Sequence, residues 1–430
     1  VAQQFIIWDM TLIKLRNTHG WLKKRGICLE IDHHQLVSRF NTPKFIGIYP
    51  MSDHSVVVFP VKSRADLKDF INLPYRLHQG DPNYISPLHT ERRDLLNPKK
   101  NPYLERALVQ LWLAKRHGEV VGRISTQIDP LAMEVRGYKE GHFGLIAAEN
   151  DLSIFEALTH TAENWLRKEG ATTNVGPFSL NINEETGVLV TGHETNPMMM
   201  MGHDFGYVSE HLSALNYDKG RDLNAYIWEM GAEMPATLKN FEDRVPTKGM
   251  IVRSINMKKY HEEVRIIGKI FNDAWSENWG FVPLAENEIE HMASQLKPLI
   301  IPDLVWFVEM NGEPAAFLVC LPNLNEAIVD LKGKILPFGW SKILWRLKVK
   351  GLKSARVPLL GVRKKYLNGM LGPFMVGSIM NKMFYEIKKR NIEKLEMSWV
   401  LEDNVPMNQL AKRMGGRHYK TYRVFQKSLR

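Results

Sequence analysis

Basic residues and glycines lie between an apolar strand and an apolar helix in the last third of the chain, over residues 359–380. A loop that enters a helix presents unpaired backbone N–H groups and the positive end of the helix dipole, and both attract phosphate oxygens. Glycines let a ligand approach the backbone closely, and basic side chains add charge-assisted contacts. The residues that could do this are Arg363, Lys364, Lys365, Gly369 and Gly372. The segment therefore predicts a phosphate-binding loop, with a solvated basic turn as the alternative.

A second group of polar side chains follows an apolar strand that contains a Gly-Pro pair, in the first half of the chain. The group consists of Asn181, Asn183, Glu184 and Glu185. Loops carry binding residues more often than the elements they connect. The loop therefore predicts the rim of a substrate pocket, and an ordinary hairpin turn is the alternative.

A third segment, 337–356, combines aromatic and aliphatic residues with interleaved lysine and arginine. A basic amphipathic helix that carries tryptophan is typical of a helix lying in a membrane interface. Each basic residue near anionic lipid could add ~1 kcal/mol to binding. Trp340 and Trp345 are the predicted membrane-contacting residues. The alternative is a helix that packs on the rest of the protein and solvates its basic face.

Four consecutive methionines, Met198–Met201, lie between His193 and His203. Methionine gives a soft, adaptable apolar surface, which suits either a groove for an apolar chain or plain core packing. A metal site needs ligands that converge at tighter spacing than these histidines have. We therefore predict no metal site.

The composition limits the fold class and the partner. A chain of 430 residues is expected to form two domains, and a formal net charge of +10 favours an anionic partner. Much of that charge is local, because residues 331–356 contain eight Lys/Arg and no Asp/Glu. Only Cys28 and Cys320 occur, which argues against a disulfide framework and favours the cytoplasm. No apolar run approaches the ~20 residues that span a bilayer.

Residues 1–50 lack clear periodicity, and a well-formed strand, 55–61, starts just after Met51. We interpret 1–50 as an N-terminal extension that could be upstream reading frame, with a genuine N-terminal arm as the alternative. The domain predictions therefore begin at residue 51.

The two halves of the chain repeat each other. Residues 111–125 align without a gap on 305–319, so that Trp112 matches Trp306 and Gly118 matches Gly312. Each stretch has the pattern of a β-hairpin. Around each hairpin the order β-α-(α)-β-β-β-α-β-α-β is predicted, which indicates an α/β fold with a mixed sheet in each half. The predicted domains are 51–232 and 248–430, the second with a basic insertion at 331–356.

The element order and the last third of the sequence resemble the GNAT fold of acyl-CoA N-acyltransferases. The resemblance rests on strand 356–362, loop 363–372, helix 373–390, Asn404 before a short helix, and 415–425. Residues 174–190, 275–283 and 401–423 are also similar to a bacterial group of double-GNAT proteins. That group includes YghO-type proteins and the bacterial ceramide synthase, which N-acylates a sphingoid base.

The resemblance implies two tandem GNAT-like domains with one site for acyl-CoA, used as a co-substrate and not as a permanently bound cofactor. The first half has acidic residues at the corresponding turn, 147–155, so the site is expected only in the second half. The cofactor-binding residues that the resemblance implies are Val362, Arg363, Lys364, Lys365, Asn368, Gly369, Leu371, Gly372 and Asn404.

Amine acylation also needs a group that takes the proton from the amine and a group that protonates the leaving thiolate. The candidates on the strand and loop that would face the cofactor are Glu396, Glu402, Asp403 and Tyr419. Taken singly, residues of these types in such positions are more often structural than catalytic.

The sequence thus predicts a cytoplasmic N-acyltransferase that moves an acyl group from acyl-CoA, or from acyl carrier protein, to the amine of a lipid. A peripheral position on the anionic inner-membrane surface is expected, and a nucleic-acid partner is not, because no binding motif for it occurs. Two alternatives stay open. One is an acetyl or aminoacyl transferase on a soluble amine or peptidoglycan precursor. The other is a non-catalytic basic protein that binds lipid or nucleic acid.

Overall fold

The computed structural model describes residues 55–230 and 248–430. The predicted extension 1–50 lies outside the described residues. Among the residues described, no helix is long and apolar enough to cross a membrane.

Thirteen strands of the described residues form the scaffold, and several of them are buried along most of their length. They are β1 Val57–Pro60, β2 Leu108–Arg116, β3 Glu119–Ile128, β4 Glu140–Ala148, β5 Thr173–Gly176, β6 Val188–Thr191, β7 Asp218–Glu229, β8 Met250–Ser254, β9 Val305–Met310, β10 Glu313–Pro322, β11 Ser354–Val362, β12 Lys394–Leu401 and β13 Arg417–Ser428.

Helices cover the sheet on both faces. They are α1 Arg64–Leu77, α2 His89–Leu95, α3 Tyr103–Arg106, α4 Pro130–Arg136, α5 Leu152–Lys168, α6 Gly206–Ala214, α7 Tyr260–Ala274, α8 Glu286–Leu296, α9 Leu324–Ile328, α10 Gly339–Trp345, α11 Leu371–Lys389 and α12 Val405–Arg413.

All the strands belong to one mixed sheet with the order β1-β2-β3-β4-β5-β13-β7-β12-β11-β10-β9-β8, and β6 pairs with β13. The predicted α/β class is confirmed, but the two predicted sheets are joined. Each half gives its last strand to the other half. Strand β7 pairs with β12, and β13 pairs with β5. The division into two domains therefore stays a prediction, because neither sheet portion is complete without a strand from the other half.

The predicted hairpins are confirmed as β2–β3 and β9–β10, both antiparallel. Helix α11 begins at Leu371, so Pro373 is its third residue and not its first as predicted. The predicted amphipathic helix is much shorter than 337–356. Helix α10 covers Gly339–Trp345, one π-helical turn follows at Arg346–Lys350, and Ser354 already belongs to β11.

Strands β11 and β12 run parallel and then separate. Their pairing extends from Ser354 with Lys394 to Val357 with Met397, whereas β11 continues to Val362 and β12 to Leu401. The loop 363–370 and helix α11 follow directly from the separated end of β11. On one face of the sheet α11 packs in an apolar core with β9 and β10. On the other face α7 packs in a second apolar core with the same strands. The gap between the separated ends of β11 and β12 therefore extends from the basic loop toward the interior of the protein.

Candidate active site

A cavity of about 540 Å³ lies between the two halves of the chain. The first half contributes α2, the loop 179–185 and the methionine segment, and the second half contributes α8, α9 and residues 335–340. Its volume falls in the range of ~300–1,000 Å³ typical of small-molecule sites. The cavity is therefore large enough to hold part of a substrate.

One wall of the cavity is apolar. Its residues are Met199, Met200, Met292, Leu296, Leu299, Leu324, Ile328, Ile335, Leu336 and Trp340. Two of the four consecutive methionines line this wall, whereas Met198 and Met201 pack in a separate buried cluster with Tyr419 and Tyr422. An apolar wall of this length suits an aliphatic chain better than a small polar acceptor.

The charged lining residues are the carboxylates Glu91, Asp94, Glu184 and Glu185 together with Arg92, Arg93 and Lys100, and we call this part of the lining the acidic wall. Glu91 and Arg92 from α2 face Glu184 and Glu185 from the loop. Arg92 donates from both terminal nitrogens to Glu185, one of them across 3.3 Å, and Ser179 Oγ donates to the same carboxylate across 3.2 Å. Burial by itself raises the pKa of Glu185, but the charge and hydrogen bonds of Arg92 outweigh it and leave the pKa below its usual value.

Glu184 has a different environment. It is partly buried in the cavity wall, and among the described residues no group hydrogen-bonds its carboxylate. Burial raises the pKa of Glu184 to about 7, and the nearby negative charges of Glu185 and Glu91 add to the effect. Burial likewise raises the pKa of Glu91. Of these carboxylates, Glu184 can therefore gain or lose a proton near neutral pH.

The loop that carries these residues is held by its own hydrogen bonds. Phe178 and Thr186 form an antiparallel bridge, and the Ser179 N–H donates to the Glu185 carbonyl across 2.8 Å. Asn181 is buried, and its Oδ1 accepts from the Asn183 N–H across 2.7 Å. The predicted polar residues Asn183, Glu184 and Glu185 thus line the cavity, whereas Asn181 shapes the loop and does not line it.

Exposed apolar side chains occur in the segment 336–349, part of which lines the cavity. Leu336 is 76% exposed and Phe338 71%, and Trp340 and Trp345 are also exposed. We call the six exposed residues of this segment the apolar patch: Leu336, Phe338, Trp340, Leu344, Trp345 and Val349. Leu336 and Trp340 belong to both the patch and the cavity wall. The cavity is therefore continuous with an apolar surface.

The basic residues of this segment differ in whether they are ion-paired, buried or exposed. Arg346 pairs with Asp330 across 2.6 Å, and Lys342 approaches the same carboxylate at 3.3 Å. Arg356, which was counted in the basic segment, is buried in the sheet. Lys348 and Lys350 are exposed beside the patch.

The predicted phosphate-binding loop connects β11 to α11. Gly369 has a φ of +97°, and Asn368 and Gly369 are exposed. A Cβ on Gly372 would lie 2.7 Å from the Tyr366 carbonyl oxygen, so only glycine fits there without a shift. Met370 precedes α11 and provides no side-chain cap, which leaves the helix start to other partners.

The basic residues of this loop are partly engaged. Lys364 Nζ lies 2.6 Å from Glu277, and Lys365 Nζ lies 2.7 Å from Glu313. Arg363 Nε is buried and has no hydrogen-bond partner among the described residues. Asn404, in contrast, is the N-cap of α12, where its side chain accepts from the Met407 N–H across 3.2 Å. Its predicted contact with a cofactor stays a prediction, as does that of Val362, Asn368 and Leu371.

The predicted catalytic residues lie apart from the large cavity. Glu396 is fully buried, and its carboxylate accepts from Ser398 Oγ across 2.5 Å and from Tyr419. Arg356 Nε lies 3.2 Å from the same carboxylate. Burial raises the pKa of Tyr419, as does the Glu396 charge. This arrangement is a closed polar network within the core.

Glu402 and Asp403 lie at the surface in ion pairs. Glu402 is 2.6 Å from Lys219, and Asp403 is 2.9 Å from Arg221. A catalytic role for any of the four predicted residues stays a prediction.

A smaller cavity of about 120 Å³ shares Arg92, Ser179 and Glu185 with the large one. His78 and His203 line it, and both contact Asp81, which accepts from His78 Nδ1 across 3.2 Å and from His203 Nε2 across 3.1 Å. Among the residues described, these three form the group that could converge on a metal ion. Burial lowers the pKa of His78 to about 4, so its imidazole is neutral at physiological pH.

Sequence reasoning missed Glu91 and Arg92. The stretch 89-HTERRDL-95 has the composition of a solvated helix, and its contact with Glu185 spans 93 residues of sequence. The strong alternation of charge in this short helix was the only available signal, and it does not identify a partner.

The comparisons with known proteins identify the family. No protein-family profile matches the chain. The chain is 49% identical over 373 residues to the bacterial ceramide synthase of Caulobacter vibrioides, which covers 86% of this chain and 97% of that protein. It is 44% identical over 370 residues to protein YghO of Escherichia coli, covering 85% of this chain and 94% of that protein.

The fold is similar to that of a tandem GNAT protein from the clavulanic acid biosynthesis pathway. The TM-score is 0.52 at 12% identity, and the match covers 87% of this chain and 99% of that one. This likeness shows the fold, and the two close relatives show the family. The resemblance inferred from the sequence is confirmed: the chain belongs to the family of tandem-GNAT acyltransferases that contains the bacterial ceramide synthase and YghO.

Proposed function

We propose that this acyltransferase moves an acyl group from acyl-CoA to the amine of a long-chain lipid, and that the lipid is a sphingoid base. The observation that carries the proposal is the cavity between the halves, which has an apolar wall, an acidic wall and a mouth continuous with the apolar patch. A relative named as a ceramide synthase, 49% identical to this chain, supports the choice of lipid.

In this proposal the aliphatic chain lies along the apolar wall and the amine lies against the acidic wall. Burial of each CH₂ of the chain contributes ~0.8 kcal/mol, so a long chain binds far more tightly than a short one. Carboxylates opposite the amine favour a cationic or hydrogen-bonding nitrogen. The two walls together select an amphiphile with an amine at its polar end.

The acyl donor is assigned to the loop 363–372 and the gap between β11 and β12. The start of α11 and Arg363 supply N–H groups for pyrophosphate oxygens, and Gly372 lets the loop backbone at Tyr366 pack against the helix start. Met199 links this region to the cavity, because its carbonyl accepts from Arg356 on β11 across 2.8 Å while Met199 also lines the apolar wall. In this proposal the donor and the acceptor meet near Met199 and Arg356.

We further propose that the apolar patch rests on an anionic membrane surface. Its aromatic residues suit the boundary between headgroups and acyl chains, and the exposed Lys348 and Lys350 suit anionic headgroups. Since the patch and the cavity share Leu336 and Trp340, a lipid could enter the cavity without crossing water.

The test is to incubate the full chain with a long-chain acyl-CoA and a sphingoid base in anionic vesicles. Mass spectrometry of the extracted lipids is expected to show the N-acyl product, together with release of one free thiol per amide. Acyl-loaded acyl carrier protein, supplied instead of acyl-CoA, distinguishes the two donors. Acylation of soluble amines or peptidoglycan precursors in preference to the sphingoid base would contradict the proposal.

A further inference from the structure

The acidic wall of the cavity comes from the half of the chain that does not carry the basic loop. Glu184 and Glu91 line the same cavity from the loop 179–185 and from α2. The inference below rests on the proposed function, since it concerns how the acceptor amine loses its proton. It assigns a role to the first half of the repeat.

Glu184 differs from the neighbouring carboxylates in its charged and hydrogen-bonding partners. Glu185 is held by Arg92 and Ser179, and Asp94 is paired with Lys100 across 2.6 Å. Glu288, which approaches from α8, is paired with Arg106 across 3.0 Å. Among the described residues, Glu184 has no such partner.

The groups that face Glu184 therefore come from each element around it. They are Glu185 on its own loop, Glu91 and Arg92 on α2, and Glu288 on α8. His291 on α8 also lines the cavity. Arg92, the cation of this group, is paired with Glu185. The Glu184 carboxylate therefore takes up a proton more readily.

Glu184 is also fixed in position. Its backbone N–H donates to the Asn181 carbonyl across 3.2 Å, and Thr186 Oγ1 donates to the Ile182 carbonyl across 3.0 Å. Asn183 Nδ2 donates across 3.3 Å to the carbonyl of Val282, which belongs to the second half. The loop is therefore tied to the half that holds the proposed donor site, as a positioned proton acceptor requires.

We propose that the acceptor amine releases its first proton to solvent, and that Glu184 is the general base that takes the second proton from the neutral amine as the nitrogen attacks the thioester carbonyl. The N–C bond forms and the C–S bond breaks, with coenzyme A leaving as the thiolate. The proton held on Glu184 then passes through solvent to the thiolate, so the net products are the amide and the free thiol. The raised pKa of Glu184, about 7, matches a base that works near neutral pH.

The test compares Glu184→Gln with the wild type in the full chain, using a sphingoid base in anionic vesicles and palmitoyl-CoA. The kcat/KM of the wild type is expected to fall below a pH near 7, as the base becomes protonated. Glu184→Gln should lose ~10²–10⁴-fold in kcat/KM and should lose this acid limb of the pH profile. Glu184→Asp should keep the limb at a lower rate.

Two further variants make the test specific. Glu91→Gln removes a negative neighbour, so the acid limb should move to lower pH, an effect that a merely structural Glu184 would not produce. Glu105→Gln, an exposed glutamate outside the cavity, should behave as the wild type. Unchanged acyl-CoA binding by Glu184→Gln shows that the variant is folded.

The outcomes separate the two proposals. If the wild type forms no N-acyl amine at any pH, the proposed function fails and the base assignment fails with it. If the wild type is active but Glu184→Gln keeps both its rate and its acid limb, the assignment of Glu184 alone is wrong. An acid limb that does not move in Glu91→Gln would also overturn it.

Discussion

At the scale of single residues, Glu184 and Glu396 are carboxylates with opposite environments, the first partly buried and the second fully buried. Glu396 is surrounded by donors, namely Ser398, Tyr419 and Arg356, whereas the Glu184 carboxylate has no hydrogen-bond partner among the described residues. The first arrangement stabilises a charge inside the core, and the second raises the free energy of the charged form. The two residues should therefore respond differently to substitution.

Glu184→Gln is expected to stabilise the protein above neutral pH. The pKa of Glu184 is about 7 in the folded protein and 4.5 as its ordinary value. Because the folded state holds the proton more tightly, stability falls as pH rises from 4.5 to 7. The variant lacks this loss, so its free energy of unfolding should exceed that of the wild type by up to about 3 kcal/mol at pH 8 and match it at pH 4. Chemical denaturation at the two pH values measures this, and a variant less stable at pH 8 would contradict it.

Glu396→Ala is expected to destabilise the fold strongly. It leaves the buried Arg356 guanidinium without its charge partner, which costs ~3–5 kcal/mol. Glu393→Ala, which removes one partner of the exposed pair with Lys353, is the matched control and should change stability by ~0–1 kcal/mol. If Glu396→Ala kept its stability and lost only activity, Glu396 would have to be reconsidered as the catalytic base.

The sequence identified the loop 181–185 as a pocket rim but could not rank its residues. Four polar side chains after a strand indicate a site, because loops hold binding residues. Which of them titrates depends on α2, which reaches the loop only through the fold. Arg92 pairs with Glu185 and not with Glu184, so the Glu184 carboxylate has no charged partner among the described residues. No local sequence pattern predicts this pairing.

At the scale of elements, α10 and the turn after it form the apolar patch. The sequence indicated a long amphipathic helix, but the glycines at 339 and 351 and the start of β11 shorten it. The aromatic residues nevertheless stay exposed, whereas the aliphatic Ile343 of the same helix packs in the underlying core. The composition of the segment therefore predicted an exposed aromatic surface, although its periodicity did not predict the length of the helix.

Phe338→Ser together with Trp345→Ser is expected to weaken binding to anionic vesicles. Neither residue lines the cavity, so acylation of a detergent-solubilised amine should be preserved. Tyr385→Ser on α11 removes a comparably exposed aromatic residue elsewhere and serves as the control. Vesicle co-sedimentation measures the effect. Equal binding by the double variant and the wild type would contradict the assigned membrane surface.

At the scale of the whole molecule, the exchange of β7 and β13 makes the two halves interdependent. The sequence predicted the strands themselves from their alternation, and it predicted the fold class from the repeat. It could not predict the exchange, because the hydrophobic pattern of a strand is the same whichever half of the sheet it enters. The exchange joins the two halves into one sheet, and the loop that carries Glu184 is tied to the second half through Asn183 and Val282.

Dividing the chain between residues 230 and 248 tests this interdependence. Each piece expressed alone lacks the strand that completes its part of the sheet and should be insoluble or unfolded. Co-expressed pieces should instead purify as one complex that unfolds in a single transition. Size-exclusion chromatography and thermal denaturation provide the readout. A folded, monomeric 248–430 piece would show that the exchanged strands are dispensable.

The cavity is proposed to bind the aliphatic chain of the acceptor amine, and the whole proposed function depends on this. The most direct measurement is kcat/KM for a series of amines that share one polar end and differ in chain length, with the wild type and Leu296→Trp. In the wild type kcat/KM should rise with each added CH₂, at ~0.8 kcal/mol each, until the cavity is filled. In Leu296→Trp, which fills part of the apolar wall, the rise should stop at a shorter chain. A kcat/KM that does not depend on chain length, or the same dependence in both proteins, would contradict the claim.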